Sequence, residues 1–208
     1  ENFSIINGDD EYSHEFMAQA GSSAVSYGLE REARIRAQDV HVTLKGSDFS
    51  VVHPGGTFKI RMKLIGLFSV YNALAAIAFA LTEGIAVATI QSALARVEGV
   101  PGRFEQVQCG QDFTVVVDYA HTPDGLKNIL KTAREIRENR LITVFGCGGD
   151  RDRGKRPLMG EIAARYSDFT IVTSDNPRSE EPRDIINDIV PGVERIKDSR
   201  YAIIVDRR

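Results

Sequence analysis

The sequence predicts an α/β protein in two parts, and three observations predict it. After residue 107, short apolar runs alternate with helical patterns roughly ten to fifteen residues long, which is how βαβ units on a mostly parallel sheet read. Before residue 100, period-two segments broken by Gly and Pro lead into a strongly apolar, Ala- and Leu-rich stretch. Between the two regions, Pro101-Gly102 in "GVPGRFEQV" interrupts both patterns and marks a boundary, giving parts 1–101 and 102–208.

In order, "NFSIINGDD" opens with an apolar run that breaks at Asn7-Gly8-Asp9-Asp10, and residues 11–20 read as a short helix. Val40–Leu44, Phe49–Val52 and Phe58–Met62 alternate between apolar and polar, with turns at Lys45-Gly46-Ser47 and His53-Pro54-Gly55-Gly56, and read as antiparallel hairpins. Residues 69–83 form an apolar helix. Thr89–Val97 forms a second, ended by Gly99 and Pro101. Val107 and Thr114–Val117 are strands joined through Gly110-Gln111-Asp112. Then come helix Pro123–Arg137, strand Leu141–Phe145, helix Arg156–Tyr166, strand Phe169–Thr173, helix Arg183–Val190 and strand Tyr201–Val205.

With 42% hydrophobic and 26% charged residues, the composition is that of a soluble globular protein. A net charge of −3 argues against a general nucleic-acid binder, which would be basic. Cys109 and Cys147 lie far apart with no CxxC, so reduced thiols and a cytoplasmic location are expected. No apolar run reaches the roughly 18 residues of a membrane span, so no membrane partner is expected. Both ends read as cut through apolar runs, and the chain is expected to be a piece of a longer protein.

Ligands of parallel α/β sheets bind outside the carboxyl ends of the strands. Three such ends carry unusual polar stretches: "DYAHTPDG" (118–125), "GCGGDRDRGKRP" (146–157) and "SDNPRSEEP" (174–182). Placed on one edge of one sheet, they gather Asp118, His121, Asp124, Arg151, Asp152, Arg153, Asp175, Asn176 and Arg178. No stretch matches GxxxxGK[ST] or GxGxxG, so the Gly-rich turn is no nucleotide-phosphate loop. Mixed Arg and Asp suit a zwitterion, since a guanidinium grips a carboxylate through two parallel hydrogen bonds and an acid takes an ammonium. Arg151, nearest the strand end, reads as a ligand group. Lys155 and Arg156 read as a solvated helix start. His121 reads equally as a loop histidine with no task, and none of the scattered histidines makes a metal site.

Together, "IINGDD", "NALAAIA", "GRFE", "VVVDYAHTPDGL", "VFGCGGDRDRGKRPLMGEIA" and "TSDNPRSEEPRDIINDI" resemble the Mur ligase family. The resemblance runs nearly end to end, weakest over residues 11–60, and its last two motifs are long and specific. It implies the back half of a central ATPase domain over 1–101, followed by a Rossmann-like C-terminal domain over 102–208. It also implies that the family's P-loop, magnesium ligands and carbamylated lysine precede residue 1, and that a "GKGHE"-like segment follows Arg208.

The activity implied is ATP-dependent addition of meso-2,6-diaminopimelate to UDP-N-acetylmuramoyl-L-alanyl-D-glutamate (the UDP-MurNAc-dipeptide) in peptidoglycan synthesis, through an acyl phosphate and with Mg²⁺. No protein nucleophile is required, and the 208 residues alone are expected to be inactive. By the same resemblance, Asn72 contacts adenine, although as a polar residue on an apolar helix it also reads as a helix-start cap. Arg103, Asp118 and His121 approach the nucleotide from the second domain, Asp118 through ribose hydroxyls. Arg151, Asp175, Asn176, Pro177 and Arg178 bind the incoming amino acid. A lysine-adding ligase and a non-catalytic Mur-like binding module are the alternatives.

Overall fold

The computed structural model describes residues 2–207, and its contacts divide the chain into two compact units, one up to Pro101 and one from Gly102. The first unit is built on a five-stranded sheet of β1 (Ser4–Asn7), β2 (Ala24–Gly28), β3 (Ile35–Thr43), β4 (Gly46–His53) and β5 (Gly56–Met62), in that spatial order. β1, β2 and β3 run parallel, and β3–β4–β5 is an antiparallel meander. The expected hairpins are there, longer than the alternation suggested. β2, "AVSYG", was not foreseen, because its small and polar residues carry little period-two signal; pairing with β1 and β3 holds it. Gly46 closes the β3–β4 turn at φ 134°, where a Cβ would collide with the Met62 carbonyl.

Helices α1 (Ser13–Ala20), α2 (Leu67–Thr82) and α3 (Val87–Arg96) complete this unit. α2 follows from its spacing: Val70, Ala73, Leu74, Ile77 and Ala78 recur at three and four residues and form one buried stripe. That stripe packs on Val25, Ile35, Ala37, Phe49, Val51, Ile60 and Met62 from the sheet, with Ile90 of α3 beside it.

In the second unit, β6 (Glu105–Val107) and β7 (Val115–Val117) form an antiparallel pair. Then come α4 (Pro123–Ile136), β8 (Ile142–Phe145), α5 (Lys155–Tyr166), β9 (Phe169–Val172), α6 (Pro182–Glu194) and β10 (Tyr201–Ile203). β8, β9 and β10 make a parallel three-stranded sheet in the order β10-β9-β8. The single-sheet expectation is therefore corrected: β7 bonds to β6, not to β8, so "DYAHTPDG" leaves a different sheet from the other two polar stretches. α6 also runs past Val190, through Pro191 to Glu194. The proline forfeits one helical hydrogen bond, but Ile189 and Val193 are fully buried on either side of it. α5 and α6 meet through small residues: a Cβ on Gly160 would strike the Ile189 carbonyl, and one on Gly192 the Pro157 carbonyl.

Candidate functional site

β8 and β9 are parallel neighbours, so the loops that follow them (146–154 and 173–181) leave the same edge of the sheet. The glycines of "GCGG" let these loops touch: a Cβ on Gly146 would overlap the Thr173 carbonyl, and one on Gly149 the Pro177 carbonyl. The Gly149 N–H donates to the Asn176 carbonyl at 2.9 Å. In return the Arg178 guanidinium donates through Nη1 to the Gly149 carbonyl. Arg178 has φ 53° and Asp150 φ 52°, left-handed conformations that non-glycine residues adopt only when their surroundings hold them.

The holding groups were not foreseen. Asp150 accepts from the Ser179 hydroxyl at 2.6 Å and the Ser179 N–H at 3.3 Å, and donates its own N–H to Glu180 at 2.7 Å. Arg156 grips Glu180 with both terminal nitrogens, at 2.8 and 2.7 Å, and Asp188 at 2.8 Å. Arg156 is wholly buried, which corrects its reading as a solvated helix start: it is the second residue of α5, but its side chain points inward to two carboxylates. Those hydrogen bonds, Glu180's foremost, outweigh burial and keep the guanidinium charged. Glu180 is held down to a pKa of about 2 by Arg156 first and the Asp150 N–H second. The available signal was "RSEEP" thirty residues beyond "GDRDRGKR": opposite charges on two loops that adjacent strands bring together.

Lys155 is not a solvated helix start either. It is half-buried and donates from Nζ to the His121 carbonyl at 2.9 Å, which draws the 118–122 loop to the start of α5 although β7 lies in another sheet. In that loop the Asp118 carboxylate accepts from the N–H groups of Phe104 (2.8 Å) and Ala120 (2.7 Å). Arg103, beside Phe104, lies over the Tyr119 ring at 5.3 Å, and Tyr119 meets His121 edge-on at 5.1 Å. Arg103, Asp118 and His121 are thus brought together.

The amino-acid candidates are gathered as well. Arg151 is exposed, and its guanidinium donates to the Asp150 carbonyl at 3.1 Å. Asp175 is paired with Arg207 at 2.5 Å, and the Pro177 carbonyl accepts from Glu180 N–H at 3.0 Å. Cys147, buried against Met159, has its thiol pushed up to about 11 by burial, which leaves it protonated and inert at neutral pH.

Asn72 belongs to the first unit and is exposed on α2. It is no helix cap: α2 begins at Leu67 with Gly66 before it, so Asn72 sits in the second turn. The preceding residue is anchored. Tyr71 donates its hydroxyl to Asp9 at 2.9 Å, and Asp9 also collects the N–H groups of Leu29 (2.6 Å), Glu30 and Arg31 (2.8 Å). Burial pushes the Asp9 carboxyl up, but these donors together hold it below its ordinary value.

Two family models match: the Mur ligase glutamate ligase domain over residues 102–208, and the Mur ligase middle domain over residues 1–80. The chain belongs to the Mur ligase family. It is 62% identical over 208 residues to the UDP-N-acetylmuramoyl-L-alanyl-D-glutamate--2,6-diaminopimelate ligase of Syntrophomonas wolfei, covering all of this chain and 42% of that protein. The ligase of the same name from Geobacillus thermodenitrificans is 48% identical over 205 residues, 99% of this chain and 42% of that protein. A solved ligase of that name superposes with a TM-score of 0.66 at 36% identity, over 99% of this chain and 43% of its own. The UDP-N-acetylmuramate-alanine ligase of Thermotoga maritima shares the fold at 24% identity and a TM-score of 0.76, over 98% of this chain and 43% of its own. This Mur ligase chain spans about two-fifths of the length of the relatives it matches. Among the described residues no helix is long and apolar enough to cross a membrane.

Proposed function

We propose that this chain supplies the amino-acid site and part of the nucleotide site of an ATP-dependent acid–amino-acid ligase. That ligase adds meso-2,6-diaminopimelate to UDP-N-acetylmuramoyl-L-alanyl-D-glutamate in peptidoglycan synthesis. The observation that carries the substrate is the state of Arg178. One of its terminal nitrogens is anchored on the Gly149 carbonyl, while Nε and Nη2 have no protein partner among the described residues. That leaves one planar fork, the shape that takes a carboxylate through two charge-assisted hydrogen bonds. Diaminopimelate is lysine with a carboxylate added at its far carbon, and Arg178 is the group for that carboxylate, with Arg151 on the neighbouring loop as a second cation. Asp175 and Asn176 shape the turn and face the ammonium, and Pro177 limits the turn's freedom.

The amine, held from its far end, is then directed at the activated carboxylate of the dipeptide, and positioning supplies most of the catalysis in this chain. Bound ATP supplies the phosphoryl group that activates that carboxylate. For the nucleotide, Asn72 is the first unit's group for adenine. Asp118 keeps acceptor capacity for ribose hydroxyls beyond its two backbone bonds, and Arg103 and His121 flank it. The described residues contain no cluster of three or more His, Cys, Asp or Glu fit for a metal.

The test is product identity. An intact ligase containing this chain, given ATP, the UDP-dipeptide and an equimolar mixture of amino acids including L-lysine and meso-diaminopimelate, should yield the diaminopimelate tripeptide by mass spectrometry. A lysine product, or none from active enzyme, overturns the assignment.

A further inference from the structure

Arg178 does not aim itself. Its backbone is left-handed, and the two residues that follow it are held from the opposite loop: Ser179 by the Asp150 carboxylate, Glu180 by the Asp150 N–H and by Arg156. Arg156 is rooted in the core of the second unit, and its charge is met by Glu180 and Asp188, with Arg153 on Asp188 at 3.0 Å. Two guanidinium groups and two carboxylates balance one another, so the cluster neither repels an incoming ammonium nor competes for a carboxylate. The positive charge left over in these loops is that of Arg151 and Arg178.

We propose that Asp150 and Glu180, anchored through the buried Arg156, are positioning residues that preset Arg178 for the substrate's far carboxylate without touching the substrate. This rests on the reading of Arg178 as the amino-acid ligand. The physical reason is preorganisation: a loop already in its bound conformation pays no ordering cost when the amino acid arrives. Arg156 is distinct from the substrate arginines because it is fully buried and its terminal nitrogens are already paired with two carboxylates; its unpartnered Nε is itself buried.

Asp150 can be dissected by substitution. Asp150→Ala removes the clasp to Ser179 and disfavours the left-handed backbone. Asp150→Gly removes the clasp but accepts φ 52° without strain. Asp150→Asn keeps an acceptor oxygen and tolerates that backbone.

In the intact ligase, Ala and Gly should each raise KM for the amino acid about 10- to 100-fold, the scale of a misplaced binding group. KM for ATP and for the UDP-dipeptide should stay within about twofold, marking a loss confined to one substrate. Asn should recover most of the loss. Hydrogen exchange at the amides of Arg178, Ser179 and Glu180 should quicken in Ala and Gly. Ser179→Ala, which cuts the same clasp from the exposed side, should raise the same KM and add nothing to Asp150→Ala; it carries the test if Asp150→Ala fails to fold.

A Gly variant with wild-type KM reduces the role to backbone conformation and overturns the proposal, as does an equal rise in all three KM values. If the wild-type enzyme prefers another amino acid, the diaminopimelate reading falls. The positioning inference then stands or falls on the KM of the preferred amino acid in the same variants.

Discussion

Glycine 149 shows at the residue scale how chemistry of the smallest kind sets a site. Gly149→Ala puts a methyl into the Pro177 carbonyl, so the loops must separate and the Arg178–Gly149 bond must break. The expected result is a large rise in KM for the amino acid, read by steady-state kinetics, with KM for ATP unaffected. Arg156 is the energetic counterpart. Arg156→Ala strands Glu180, leaves Asp188 to Arg153 alone and should destabilise the second unit by about 3 kcal/mol, the range for removing one partner of a buried pair, measured by denaturant unfolding. Glu180 gives the pH dependence. Its carboxyl drops from 4.5 to about 2 on folding, so its contribution is complete above pH 4.5 and is lost as pH falls toward 2. The melting-temperature gap between wild type and Glu180→Gln should therefore be constant above about pH 5 and close progressively below it; a gap that widens in acid would contradict the assignment. Arg151 and Arg178 stand out in the sequence because they follow strand ends, where ligands of parallel sheets bind. Arg156 does not, because its partners lie 24 and 32 residues away and only the fold brings them to it.

Elements were legible wherever one stretch of chain contains its own reason. α2 carries its buried stripe in its spacing, and β3–β5 carry their turns in Gly and Pro. Elements that depend on neighbours were not. β2 owes its existence to β1 and β3, and α6 continues through Pro191 because its far end is packed on α5. The β6–β7 pair is legible from its turn, but that β7 lies outside the β8–β9–β10 sheet is not. The α5–α6 crossing can be tested alone. Gly192→Ala drives a methyl into the Pro157 carbonyl at the start of α5, the helix that carries Lys155 and Arg156. Overpacking of this kind costs about 1–3 kcal/mol, so thermal melting should show a clear loss of stability; an unchanged melting temperature would mean that the helices do not meet as described.

At the scale of the whole molecule, the two units are joined by a short segment whose residues Glu98 to Pro101 are all exposed. Limited digestion with a glutamate-specific protease should cut at Glu98 before the acidic residues of the helices, separating the two units, because exposed backbone between compact bodies is what proteases reach first. Each unit carries a share of the proposed chemistry: Asn72 in the first, and Arg103, Asp118, His121 and the amino-acid loops in the second. Substitution should separate these shares, with Asp118→Ala raising KM for ATP and leaving KM for the amino acid near wild type. The central claim is that Arg178 selects a substrate with a carboxylate at its far end. It is tested most directly by the ratio of kcat/KM for meso-diaminopimelate to that for L-lysine, measured in the intact ligase and in its Arg178→Ala variant. A site built for a polar group rejects the analogue lacking it by about 10⁴-fold, so the wild-type ratio should be of that order and should collapse in the variant. A wild-type enzyme that prefers lysine, or a ratio that Arg178→Ala leaves unchanged, would contradict it.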